Sequence, residues 1–130
     1  MELAKVNQVI EYNESNILND ISIGFKVDIL TSKSIFCELK KYLIGCSISD
    51  EKCVPSDVVD KAWHLFIIHT KLYMDFCNKY FGKYIHHFAC KGELDYENFY
   101  KTKELLGKLG IPPNELYWIK PGDCGDSDSN

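Results

Sequence analysis

Apolar residues recur every three to four positions along most of this chain, the period of a helix packed on one face. Glu2 to Tyr12 carries Leu3, Val6, Val9 and Ile10 at such spacings and predicts a first helix. Asn13 to Gly24 is richer in Asn and Ser and reads as a loop or a short frayed turn. There Ile21, Ile23 and Phe25 alternate with Ser22 and Gly24, a pattern that also admits a short strand without a clear partner. Val27 to Ile44 sets Leu30, Phe36, Leu39 and Leu43 in helical register and predicts a second helix that ends near Gly45. The stretch CSISDEKCVPS reads as a loop, followed by Ser56 as an N-cap and Asp57 in the first turn of a third helix. That helix runs from Asp57 to Phe81 and stops at Gly82. After the short segment KYIHHFACKG, Asp95 to Leu109 predicts a fourth helix through Phe99, Leu105, Leu106 and Leu109. Gly110, Pro112 and Pro113 break it, and Asn114 caps a last short turn through Trp118. The expected fold is all-α: a single-domain bundle of four to five helices around a central helix near residues 57–81. Residues 1–120 form the domain and residues 121–130 a short acidic tail.

On a wheel advancing about 100° per residue, Val59, Trp63, Ile67, Thr70, Met74, Cys77 and Phe81 fall within about 40° of one direction, flanked by Phe66 and Tyr73. This stripe predicts core, with Trp63, Ile67, Thr70, Tyr73 and Cys77 as its structural members. His64 lies off the stripe at about 100°, on a narrow polar strip with Asp60, Lys71, Asp75 and Asn78. Asp60 sits one turn earlier on the same side. Its carboxylate can hold one ring nitrogen of His64 and free the other for a metal or a proton. The same spacing also suits an exposed histidine with an incidental acid. His69 points about 140° from His64, and Cys77 lies about 20 Å along the axis, so neither shares an ion with it in a continuous helix.

Charge and composition narrow the function classes. Of 130 residues, 45% are hydrophobic and 26% charged, as in ordinary globular domains, and the formal net charge is -4. All 15 basic residues are lysines, scattered among acids. Without arginine's bidentate fork and without a basic patch, no sequence-specific nucleic-acid binding is expected. No signal peptide is legible, and no apolar run approaches the ~18 residues of a membrane span. A cytoplasmic setting without membrane contact is expected, although signal-independent secretion stays open. There the six cysteines are free thiols or metal ligands rather than disulfide halves.

Ligands to complete a site with His64 would come from His86 and His87 in YIHHFAC, and from Cys90 and Cys124. Adjacent histidines in an extended segment point to opposite sides, so at most one usually faces His64. Mixed His and Cys ligands suit zinc, and an open position marks a catalytic rather than a structural ion. No CxxC or HxxxH clamp, glycine-rich phosphate loop, GxSxG elbow or GxGxxG is present. A Cys/His nucleophile pair could form in space from Cys77, Cys90 or Cys124 with His86 or His87, while Cys37 and Cys77 also read as small buried apolar groups.

The run VPSDVVDKAWHLFIIHTKLYMDFCNKYFGKYIHHF carries a longer signal. It resembles the shared segment of a family of small uncharacterised bacterial proteins, related to a region of plant glycine-rich domain proteins. Their pattern reads roughly PSxxVDxxWHxxIxxTxxYxxFCxxxFGxxIHH, often with a terminal DCG element. Pro55, Ser56, Val59, Asp60, Trp63, His64, Ile67, Thr70, Tyr73, Phe76, Cys77, Phe81, Gly82, Ile85, His86 and His87 match it, as do Asp123, Cys124 and Gly125 at the end. The chain departs from the pattern with Phe88-Ala89-Cys90 where relatives carry a proline, and with a short acidic end in place of a glycine-rich tail. The resemblance implies no established activity, but it implies that His64, His86, His87 and Cys124 act together, supported by Asp60 and Asp123. Three functions are thereby expected to compete. One is a zinc-binding or interaction module with protein partners. The second is a metal-free helical adaptor with a buried His/Asp network. The third is a His/Cys-dependent hydrolase with a solvent-open pocket at His64.

Overall fold

A computed structural model describes residues 1–87 and 95–120. Among these residues there is no strand, and six α-helices account for the fold: α1 (Leu3–Glu11), α2 (Ser15–Phe25), α3 (Ile29–Ile48), α4 (Asp57–Ile67), α5 (Thr70–Phe81) and α6 (Tyr96–Lys108). A 3-10 turn over Glu115–Tyr117 follows. The expected all-α bundle is what forms.

The capping residues work as their chemistry predicts. Asp28 Oδ1 accepts from the Thr31 amide at 2.8 Å, and Ser56 Oγ from the Val59 amide at 3.1 Å. Asp95 Oδ1 and Asn114 Oδ1 accept in the same way from Asn98 and Leu116. Each satisfies an amide that the first helical turn leaves without a partner. Gly82, at φ 70°, ends α5 in the left-handed region that favours glycine.

Three elements differ from the periodic reading. Residues 15–25 are helical, with Ile17, Leu18 and Ile21 buried and Ile23 exposed, so the alternation Ile21, Ile23, Phe25 is not a strand. Secondly, α3 passes Gly45 and continues to Ile48. Gly45 is instead a point of close helix approach, because a Cβ there would stand 3.0 Å from Leu106 Cδ2 of α6. The third difference is a break in the helix expected over 57–81. His69, at φ -83° and ψ 72°, leaves helical geometry and separates α4 from α5.

The break has a packing reason. In a continuous helix, Trp63 and Tyr73 would be about 15 Å apart along the axis. Folding α5 back brings the Trp63 Nε1–H to the Tyr73 hydroxyl at 2.9 Å and stacks Tyr73 edge-on to Phe66, centroids 5.1 Å apart. At the corner, His69 Nε2 meets Asp20 Oδ2 of α2 at 2.5 Å. The stripe calculated for one helix therefore splits. Trp63, Tyr73 and Cys77 are buried, Ile67 is half-buried, and Thr70 and Met74 are exposed.

The helix that others surround is α3. It packs on α1, α2, α4 and α6, while α4 also contacts α2 and α5. Its residues Glu38 to Gly45 are buried on almost every side, including two charged ones. Lys40 Nζ donates to the carbonyls of Ile10 (2.6 Å) and Tyr12 (2.5 Å) at the end of α1, and lies over the Phe36 ring. These carbonyls would otherwise lack partners at the helix terminus.

Burial pulls the Lys40 ammonium down from its usual range to about 8. Between about pH 8 and 10.5 the unfolded chain keeps this proton and the folded chain does not, so stability rises with pH in that window. Lysine minus methionine at position 40 isolates the effect from other alkaline titrations. In urea unfolding of parent and Lys40→Met, the stability difference should be flat below about pH 7.5. It should then shift in favour of lysine by about 3 kcal/mol by pH 10.5. A flat difference throughout would mean that the two carbonyls and the ring fully compensate the buried charge.

Candidate metal centre

The site begins on the exposed side of α4. Asp60 and His64 are one turn apart, and His64 Nδ1 lies 3.1 Å from the Asp60 carbonyl oxygen and 3.5 Å from Asp60 Oδ2. A third group arrives from the segment after α5. The Tyr73 hydroxyl donates to the Ile85 carbonyl at 2.5 Å, which fixes the main chain two residues before His87. His87 Nε2 then meets Asp60 Oδ1 at 2.7 Å. Its ring stands edge-on to Trp63 (4.5 Å) and tilted to His64 (4.2 Å between centroids). Buried Trp63 thus forms one wall of the site, and its indole is held by the same Tyr73 hydroxyl that fixes Ile85.

Asp60, His64 and His87 each offer one ligand atom, and these atoms all lie within 4.8 Å of one another. Zinc bonds of about 2.0–2.2 Å place tetrahedral ligands about 3.5 Å apart, so an ion here would draw in atoms that now lie within 4.8 Å of one another. The side chains are graded in exposure, 14% for His87, 40% for Asp60 and 58% for His64, which leaves one side open to solvent. All three line a cavity of about 800 Å3, whose wall also includes Tyr42, Val54, Trp63, Ile85 and His86. Cys46 and Cys53 share it.

His86 lines the cavity with its ring 4.7 Å from that of Tyr84, and is not in the three-residue group. Asp60, expected to orient His64 from behind, is in the group itself. Cys90, Asp123 and Cys124 lie outside the described residues. Cys77 is buried on the inner face of α5, and burial pushes its thiol up, as expected of a core cysteine. The contact between His87 and Asp60 had one signal in the sequence, the alternation rule that sends only one of two adjacent histidines towards α4. Which one, only the Tyr73–Ile85 hydrogen bond decides.

The UCP032817-like family matches residues 22–94, more than half of the chain. The chain belongs to the UCP032817-like family. No curated protein and no solved structure matches it. The family segment contains α3, α4 and α5 together with Asp60, His64 and His87, whereas α6 and Cys124 lie beyond it. Membership assigns no activity. No helix among the described residues is long and apolar enough to cross a membrane.

Proposed function

We propose that this UCP032817-like chain is a small zinc-binding helical module that acts through protein partners, with Asp60, His64 and His87 as ligands. The observation that carries this reading is the convergence of one carboxylate and two imidazoles from separate segments within 4.8 Å. Imidazole and carboxylate donors suit zinc, and three protein ligands leave a fourth position for water, a partner's side chain or Cys124. Protein is the favoured partner class because the lysines are scattered and arginine, the usual phosphate and base reader, is absent.

One observation favours a second reading. Asp60 and His87 already form a direct 2.7 Å hydrogen bond, which satisfies both without an ion and suits a metal-free network that holds α4 to the segment after α5. Zinc titration of chelator-treated, untagged protein against a competing chromophore separates the two. The parent should take up one equivalent, and His64→Ala and His87→Ala should each weaken binding by at least about 100-fold. Failure of the parent to bind at micromolar zinc removes the metal reading and leaves the network. Cys124→Ser tests the fourth ligand: a loss of about 10-fold or more assigns it to the tail thiol, and unchanged affinity assigns it to solvent or a partner.

A further inference from the structure

The cavity that the His/Asp group lines holds a second pair of residues that the site does not use, Cys46 and Cys53. Cys46 stands near the end of α3, one turn after Tyr42 and on the same side. Cys53 lies in the loop that returns from α3 to α4. That loop is tied down at the peptide bond that follows the thiol: the Tyr42 hydroxyl donates to the Cys53 carbonyl at 3.0 Å, and the Val54 amide donates to Thr102 Oγ1 at 3.0 Å. The tie sets the two side chains in one stretch of the cavity wall, where the Cys46 thiol bears on the ionisation of Cys53. Both are half-buried, both line the cavity, and each is free.

We propose that Cys46 and Cys53 are a redox-active dithiol in the cavity wall, closed to an intramolecular disulfide by a low-molecular-weight disulfide such as glutathione disulfide. The two thiols have different roles. The Cys46 thiol draws Cys53 down to about 7, whereas Cys53 together with burial keeps Cys46 protonated. The Cys53 thiolate attacks one sulfur of the small disulfide, forming a mixed disulfide and expelling one thiolate, which takes a proton from solvent. Cys46 then attacks the Cys53 sulfur and the second small thiol leaves with the Cys46 proton. Two protein thiols are oxidised by two electrons, and one small disulfide is reduced to two thiols. Of the other described cysteines, Cys37 and Cys77 have no thiol partner in contact, and burial pushes both up, so they should react last.

The reaction is read on the full-length reduced chain at pH 7 with excess glutathione disulfide, acid quenching, alkylation and peptide mapping. A thiol that is about half ionised, after allowance for its lower intrinsic nucleophilicity, should react about 5-fold faster than an ordinary cysteine. Cys53 is expected to react first, and the end product should be a linked Cys46–Cys53 peptide pair. Cys46→Ser should stop at glutathione on Cys53, and Cys53→Ser should leave Cys46 to be alkylated. In denaturing urea the preference for this pair should vanish. A parent that ends as a stable mixed disulfide on Cys53, a link from Cys53 to any other cysteine, or an equal preference in urea overturns the proposal. The outcome is independent of the zinc titration, since neither thiol belongs to the Asp60–His64–His87 group.

Discussion

Tyr73→Phe should destabilise the protein by about 3–4 kcal/mol, an effect out of proportion to the single oxygen removed. The hydroxyl accepts from buried Trp63 Nε1 at 2.9 Å and donates to the Ile85 carbonyl at 2.5 Å, so its loss strands a donor and an acceptor together. A buried polar group left without a partner costs about 1–3 kcal/mol, and phenylalanine fills the remaining volume without supplying either bond. For a domain of this size such a loss lowers the melting temperature by about 10–15 °C. Tyr84→Phe is the control, because Tyr84 is a partly exposed tyrosine packed against Tyr73, 5.2 Å between centroids. It should change stability by no more than about 0.5 kcal/mol. Thermal unfolding of both variants reads the difference, and a Tyr73→Phe loss under about 1 kcal/mol would show that the two bonds are not coupled through one hydroxyl. Since Ile85 precedes His87 by two residues, Tyr73→Phe should also weaken zinc binding at a temperature where the variant is still folded.

The second large effect concerns Glu38, 3% exposed on the most enclosed helix. Its Oε1 accepts from the Asn114 amide at 2.8 Å and from Trp118 Nε1 at 3.1 Å, while Oε2 accepts from Lys41 Nζ at 2.8 Å. Lys41 Nζ also donates to the Pro112 carbonyl at 2.9 Å. One carboxylate thus staples the last described segment, with its buried Trp118, to α3. Glu38→Ala should cost about 3–5 kcal/mol, because the change removes one partner of a buried charge and leaves two donors without acceptors. The damage should be local first: the segment after α6 detaches, and Trp118 fluorescence shifts to longer wavelength before the helical circular dichroism falls. Coincident loss of both signals would place the staple inside the main cooperative unit. A loss below about 1 kcal/mol would remove the staple altogether.

Several features were readable from local chemistry alone. Ser56, Asp95 and Asn114 mark element starts because a short polar side chain can reach an amide two or three residues on, and that interaction needs no tertiary partner. The apolar period of Glu2–Tyr12 and of Asp95–Leu109 places helices for the same kind of reason: one face must be covered, whatever covers it. Asp60 and His64 were legible as a pair because four residues on a helix is a fixed distance. The all-α class follows from these local terms added along the chain.

Other features had no local signal. The break at His69 is invisible to periodicity, since α4 and α5 have the same period and differ only in direction. It is decided by the Trp63–Tyr73 hydrogen bond and by His69 meeting Asp20, contacts across 10 and 49 positions of sequence. Gly45 carries the composition of a helix end, yet the approach of Leu106 makes it an interior position. Glu38 and Lys40 look like surface residues of α3 and are buried, because their partners come from residues 112–118 and from the end of α1. The choice of His87 over His86, and the placing of Cys46 and Cys53 in one cavity wall, depend likewise on hydrogen bonds from Tyr73 and Tyr42 to distant carbonyls. Caps, periods and neighbours one helical turn apart are short-range and intrinsic to the residues. Direction, burial of charge and the assembly of a site depend on which segments meet, which composition and spacing do not encode.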